Sequence, residues 1–301
     1  MFNFKESQDL HENKGEKILP TKVVVELLRH SLKENDPSRP NSELLLTPEG
    51  RELARARGDE LNPYMEKAVA GASPMDRAAE TAMLVMLNDA EEIETSDSLA
   101  TMAEKVSKEL PFGKKLYRDE RLGFALGKGK TGEEGMKAFK AGRYLDWLVK
   151  DSDHQAAAEK DLISTTYLRQ AGNIAELLAR YQAVGNNFHR LTSDAEKSEK
   201  YGDKLERYLV SHQGVAESFV AKVLEVQGSV AARDEFASSL GNGWAETKGI
   251  HVEIINDAQD QHTFLTYNDA QGEKHELWLA PDTLEIIMKE RAELEKVCRA
   301  D

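Results

Sequence analysis

Cysteine is nearly absent from this chain of 301 residues: Cys298 stands alone. One thiol cannot close an internal disulfide, and its solitude removes thiolate zinc clusters from consideration. Long apolar runs are missing too. The opening stretch, MFNFKESQDLHENKGEKILP, is polar and carries neither a signal peptide nor a membrane helix. Together these absences predict a reducing, cytoplasmic setting with no membrane partner. A basic balance is also lacking. There are 54 acidic residues against 40 Lys and Arg, a formal charge of −14. Contacting the phosphates of a duplex takes a basic face, so nucleic acid is disfavoured as a partner. A small anionic substrate is not, because one basic pocket can sit in an acidic protein. No oligomeric state follows from the composition.

What is present reads as α/β. Residues 1–20 form a polar tail ending at Pro20, and 21–301 read as one domain. Lys22 to Leu28 is short, β-branched and almost continuously apolar, the pattern of a buried strand. Thr47-Pro48-Glu49 starts a helix, with a hydroxyl cap, proline at the first position and an acid in the first turn. That helix runs to about Leu61. Ala68 to Ser73 is a second strand, Pro74 opens a second helix to about Leu87, and Glu92 to Thr95 fits a third strand. The alternation implies a three-layer α/β/α arrangement with a mostly parallel sheet. From about 133 to 190 the chain is helical and rich in Ala, Leu and charge, as an inserted cap would be. Arg207 to Ser211 returns to strand and a helix follows to about Val226. Ile250–Ile255, His262–Tyr267 and His275–Leu279 alternate as a meander, and Asp282-Thr-Leu-Glu285 reads as a capping box before a last helix.

Three strand ends deliver unusual polar residues. The first ends in Arg29-His30, the second in Ser73-Pro74 with Arg77 in the next helical turn, and the late one in Ser211-His212. In parallel sheets the carboxyl ends share one edge, where ligands bind. Guanidinium groups grip phosphate bidentately, and histidine can act as a nucleophile. A cation in a first helical turn opposes the dipole unless an anion lies near, which marks Arg77.

Leu28-Arg29-His30, Leu46-Thr47-Pro48-Glu49-Gly50, Ala72-Ser73-Pro74-Met75-Asp76-Arg77-Ala78-Ala79-Glu80-Thr81-Ala82 and Val210-Ser211-His212-Gln213-Gly214 occur in that order. In these motifs the chain resembles the histidine phosphatase superfamily, the phosphoglycerate-mutase-like fold. The resemblance implies that His30 accepts phosphate and that Arg29, Arg77 and His212 complete the phosphate pocket, with His212 protonated. It also implies a carboxylic acid between the second and third strand ends that protonates the leaving group. Arg118-Asp119-Glu120-Arg121-Leu122-Gly123 is the matching region. Spacing to Gly123 and Gly127 favours Asp119, while residue type and reach favour Glu120, so both stay as candidates. No cofactor and no metal is implied.

Two departures shape the expectation. Ser31 stands where the family has glycine, and its hydroxyl could donate to phosphate. The loop from Ser31 to Leu46 lacks the aromatic and asparagine pattern of the sugar-phosphate mutases. Lys33 and Gln213 join Ser31 as candidate substrate-binding residues. The expected activity is hydrolysis of a small phosphorylated substrate or a phosphoprotein through a phosphohistidine. The alternatives are a phospho-ligand-binding protein without turnover and a phosphoglycerate-type mutase. Within the cap, Phe139, Arg143, Tyr144, Trp147, Tyr167 and Arg169 either line a specificity pocket or form its core. Gly127-Lys-Gly-Lys-Thr131 lacks the spacing of a nucleotide-binding loop.

Overall fold

The structure, a computed structural model, describes residues 19–63, 67–86, 98–109, 116–127, 129–192, 195–257 and 260–300. The tail up to residue 18 and the strand expected at Glu92–Thr95 lie outside the described residues. Among the described residues seven strands form one sheet: β1 (Thr21–Arg29), β2 (Ala68–Ala72), β3 (Leu116–Arg118), β4 (Lys204–Ser211), β5 (Gly249–Asn256), β6 (Gln261–Asn268) and β7 (Lys274–Trp278). Their order is β3-β2-β4-β1-β5-β6-β7. The α/β class holds, but the sheet is only half parallel. β3, β2, β4 and β1 pair in parallel, whereas β5, β6 and β7 continue the sheet antiparallel. Parallel neighbours need long crossovers, which the helices supply; β5 to β7 are joined by short turns that allow only reversal.

Local chemistry sets the helices. In α1 (Pro48–Leu61) the Thr47 hydroxyl accepts the Gly50 N–H, as its sequence predicts. α2 (Asp76–Met86) is buried along almost its whole length, because α1 covers the face turned away from the sheet. α3 (Leu99–Glu109) follows. Between β3 and β4 come α4 (Lys130–Lys140), α5 (Tyr144–Lys150), α6 (Ser152–Glu159), α7 (Tyr167–Thr192) and α8 (Ala195–Tyr201). The cap is therefore more segmented than expected. Gly142, at φ +73°, ends α4, and Lys160, in the left-handed region at φ +50°, ends α6. After β4 run α9 (Val215–Gln227), α10 (Val230–Leu240) and finally α11 (Thr283–Arg299). The capping box expected at α11 does not form: the Asp282 side chain makes no capping bond.

Strand alternation divides the core in two. Val23, Val25 and Leu27 of β1 pack with β5 and with Leu178 and Phe219 of α7 and α9. Leu28, Val210 and the alanines of β2 face Ala79, Met83 and Met86 of α2. The parallel half is thus a three-layer α/β/α stack. On the antiparallel half only one face is packed; His251, Glu253, Phe264 and Glu276 stand half-exposed or exposed on the other. No helix among the described residues is long and apolar enough to cross a membrane.

Candidate active site

Register brings the strand ends to one level. Arg29 pairs with Ser211 and Ala72 with Val210. The ladder continues one step further, through His30 N–H to the Ser211 carbonyl at 2.9 Å and Ser73 N–H to the Val210 carbonyl at 3.0 Å. His30, Ser73 and His212 therefore leave the sheet side by side, with their ring and hydroxyl groups turned to the same edge. The His30 and His212 rings lie 5.1 Å apart, steeply inclined at 68°.

The tautomer of His30 follows from its neighbours. Nδ1 lies 2.7 Å from the Ser31 carbonyl, which can only accept, so Nδ1 carries the proton. Nε2 then holds a lone pair, and it accepts the Arg77 Nε–H at 3.1 Å. Burial, reinforced by Arg77, lowers the His30 pKa to about 3, so the ring is neutral. His212 Nε2 meets the Ser73 hydroxyl at 2.7 Å. Burial first, then His30, Arg77 and Arg29, push its pKa well below the usual imidazole range. The protonated His212 expected from the sequence is thus not the state of this pocket; two rings and two guanidinium groups in one buried space keep it neutral.

Both arginines are held. Arg77 donates to the Asn41 carbonyl at 2.7 Å as well as to His30, and burial lowers its pKa to about 10. Arg29 donates to the Trp244 carbonyl at 2.6 Å and pairs with Glu246 at 2.5 Å. Its buried Nε finds no partner among the described residues. Behind Arg29, the buried carboxylate of Glu217 accepts from Trp244 N–H at 2.9 Å and from Gly214 N–H at 3.0 Å. One acid thereby ties the arginine's support to the turn that carries His212. Gly214 sits at φ +88°, and a Cβ there would come 2.8 Å from Tyr144, so only glycine suits this turn.

Helix α2 supports the first strand end through one face. Thr81 accepts the Ser31 N–H at 3.0 Å, and Glu80 accepts the Leu46 N–H at 2.7 Å while pairing with Arg51 at 2.6 Å. With Arg77 these are i, i+3 and i+4 positions, which share a face. The Arg-x-x-Glu-Thr spacing is a set of tethers for the segment after His30.

A cavity of about 390 Å³ opens over the two histidines. Its lining includes Arg29, His30, Ser31, Lys33, Arg77, His212 and Gln213, so seven of the nine candidate residues meet there. Their contacts differ from expectation in places. The Ser31 hydroxyl donates to the Gly50 carbonyl at 2.7 Å and is thus directed to helix α1. A Cβ on Gly50 would lie 2.2 Å from the Leu32 carbonyl, which explains the glycine of that motif. Gln213 donates to the Asn242 carbonyl, and Lys33 to the Glu34 carbonyl at 3.4 Å.

Asp119 and Glu120 do not reach the cavity. Asp119 caps the short turn Glu120–Leu122 and takes both Nε and Nη2 of Arg121, at 2.9 and 2.7 Å. Those bonds hold its carboxyl below the usual carboxylate range, the opposite of what a proton donor needs. Glu120 is exposed. The carboxylates that line the cavity are Glu34 and Glu246. Sequence reading missed both, along with Glu217 and Trp244: the last three act from segments distant in the chain, and Glu34, four residues after His30, sits in a loop with no period to show where its carboxyl points. Of the six cap residues singled out, Phe139 and Tyr144 line the cavity. Trp147 and Tyr167 are core, and Arg169 is buried on the Ser164 and Asp161 carbonyls. Among the described residues one group of three potential metal ligands occurs, Asp269, Glu273 and His275, and none of them lines the cavity.

No protein-family model matches the chain, and no curated protein matches it. Solved structures do. A mycobacterial glucosyl-3-phosphoglycerate phosphatase is 15% identical over 87% of this chain and 100% of its own, with a TM-score of 0.44. A phosphoglycerate mutase from Bacillus anthracis is 14% identical over 89% and 97%, also at 0.44. A phosphoserine phosphatase mutant from Entamoeba histolytica, in complex with phosphoserine, is 14% identical over 88% and 99%, at 0.40.

Proposed function

We propose that the chain is a phosphomonoester hydrolase that works through a phosphohistidine at His30. The observation that carries this reading is the orientation of that ring. Its Nδ1–H is committed to the Ser31 carbonyl, and its Nε2 lone pair lies in a buried pocket beside Arg77 and His212. A neutral imidazole with a fixed tautomer is a competent nucleophile.

In the first step the Arg77 Nε–H exchanges His30 Nε2 for a phosphate oxygen, the freed Nε2 attacks phosphorus, the N–P bond forms, and the ester P–O bond breaks. The oxygen leaves with the bonding pair and takes a proton from a carboxylic acid. Water then attacks phosphorus and gives a proton to that carboxylate, the N–P bond breaks, and its pair returns to Nε2. Arg77, Arg29 and His212 stabilise the charge on the equatorial oxygens. A phosphate dianion raises the pKa of His212, opposing the pocket's own cations, so the ring can take a proton once substrate is in place. The proton for the leaving oxygen comes from Glu34. It lines the cavity, and its own pair, Oε2 with Arg39 at 2.9 Å, is more exposed and so weaker than those that hold Glu246 on Arg29 and Asp119 on Arg121.

The test is a phosphatase assay with EDTA present, on wild type and His30→Ala. Loss of activity under EDTA, or full activity in the variant, sinks the mechanism. The tethering of Asp119 favours one second reading, a protein that binds a phospho-ligand without turning it over. Phosphate binding by calorimetry, with no turnover across a panel of phosphomonoesters, is its signature.

A further inference from the structure

The cavity is chemically divided. Its floor is the histidine and arginine set; its cap side is Phe124, Leu126, Met136, Phe139 and Tyr144. The rings form a series leading away from the phosphate subsite. Phe124 lies 6.0 Å from His212 and 6.3 Å from Tyr144, and Phe139 lies 6.1 Å from Tyr144. The pairs with Tyr144 meet edge to face, a favourable geometry that holds the wall in place.

The wall is also left open to water. Met136 is 44% exposed and Phe139 is 42% exposed, one turn apart on α4, and Leu32 on the facing loop is 41% exposed. Large apolar side chains gathered around one cavity are a binding feature more than a packing one. A sugar or hydroxyacid would need donors and acceptors here, and the only polar atom this wall offers is the Tyr144 hydroxyl, which is itself buried. The Lys33 ammonium, which donates to the Glu34 backbone carbonyl, belongs to the facing loop and not to this wall.

We propose that the substrate is the phosphomonoester of a bulky apolar alcohol, aromatic or branched aliphatic, with Phe139 and Met136 setting that preference. The proposal rests on the hydrolase reading for the phosphate end and adds the leaving group. An apolar leaving group covers the exposed rings, and its transfer from water supplies the selectivity.

The experiment compares unactivated alcohols, so that leaving-group acidity does not dominate. 2-Phenylethyl phosphate, ethyl phosphate and glycerol phosphate are assayed on wild type, Phe139→Ser and Met136→Ser, both surface-exposed positions that do not threaten the fold. The expected kcat/KM for the phenylethyl ester is about tenfold or more above that for glycerol phosphate, and each variant shrinks that ratio by about fivefold or more. Calorimetry with phenylethylphosphonate and ethylphosphonate reads the same preference without turnover, the first binding about tenfold tighter. Equal rates on all three esters overturn the apolar preference and leave the hydrolase standing. No turnover, with tight and selective phenylethylphosphonate binding, overturns the hydrolase and keeps the apolar subsite. No turnover with equal phosphonate affinities overturns both.

Discussion

Arg77 Nε stands 3.1 Å from His30 Nε2 and donates its N–H to the lone pair that would attack phosphorus, while another nitrogen of the same guanidinium holds the Asn41 carbonyl. One side chain thus anchors the loop after His30 and fixes the His30 ring, through a bond it must hand over to a phosphate oxygen before Nε2 can attack. A lysine cannot serve both, because its single ammonium lacks the planar fork. Arg77→Lys should fold and still bind phosphate weakly, but lose about 10² to 10³ in kcat, the loss typical of removing one oriented donor from a transition state. Steady-state kinetics beside circular dichroism checks this; a loss under fivefold would show that charge alone suffices.

The acid assignment separates cleanly by substrate. General acid help is worth about 10² to 10⁴ in rate and matters most where the leaving oxygen is basic. Glu34→Gln should therefore depress hydrolysis of an alkyl phosphate far more than that of an aryl phosphate. Asp119→Asn should lack that dependence and instead loosen the turn it caps, because its oxygens are spent on Arg121. Glu120→Gln should stay near wild type. If Asp119→Asn alone shows the leaving-group dependence, the 118–127 segment rearranges in the working enzyme and the donor is the one its spacing suggests.

The elements that carry the strand-end residues were legible because their signals are local. Thr47-Pro48 caps a helix by itself, and Val23–Leu27 can hardly be anything but a buried strand. The strand-end residues were legible for the same reason: each sits directly after its strand, and only the parallel register was needed to join them. β3 was missed because three residues, Leu116–Arg118, carry no period. The β5 to β7 meander was legible from its alternation, but its pairings, with that of β5 on β1, leave the sheet half parallel where mostly parallel was expected. Asp119 does not line the cavity because Arg121, two residues on, takes its carboxylate. Spacing shows which residues lie close, not which partner a carboxylate takes.

The segment after His30 depends on a buried ion pair. Glu80 is fully buried, accepts the Leu46 N–H and pairs with the buried Arg51 at 2.6 Å. Burial pushes its carboxyl up, and Arg51 and the Leu46 N–H oppose that shift. Removing one partner leaves an uncompensated charge, at a cost of about 3 to 5 kcal/mol. Arg51→Met should show that loss in urea denaturation, and the Arg51→Met, Glu80→Leu double variant should recover part of it. A double variant no more stable than the single one would mean that the Leu46 tether, and not the charge, is what the pair protects.

The neutral histidines make the site acid-sensitive, with a definite sign. His30 titrates near 3 in the folded chain and near its ordinary 6.5 when unfolded, and His212 is lowered in the same direction. Between these values the unfolded chain binds protons that the folded chain refuses. Their contribution to stability is therefore intact above about pH 6.5 and is lost as pH falls toward 3. His251 has the opposite slope: its bond to Glu26 raises its pKa, so its contribution is present at low pH and fades as pH rises. Replacing His30 with asparagine removes one acid-labile group and leaves His251 in place. Between pH 7.5 and 5, wild type should lose about 2 kcal/mol more of unfolding free energy than His30→Asn, at about 1.4 kcal/mol per tenfold difference in proton affinity. Inorganic phosphate should narrow that gap in wild type, because an anion beside the rings lets them protonate without unfolding. Urea titrations of both proteins at the two pH values, with and without phosphate, decide the matter. Equal acid losses in the two proteins would mean that the His30 ring is solvated and titrates normally, and the fixed neutral nucleophile would have to be given up.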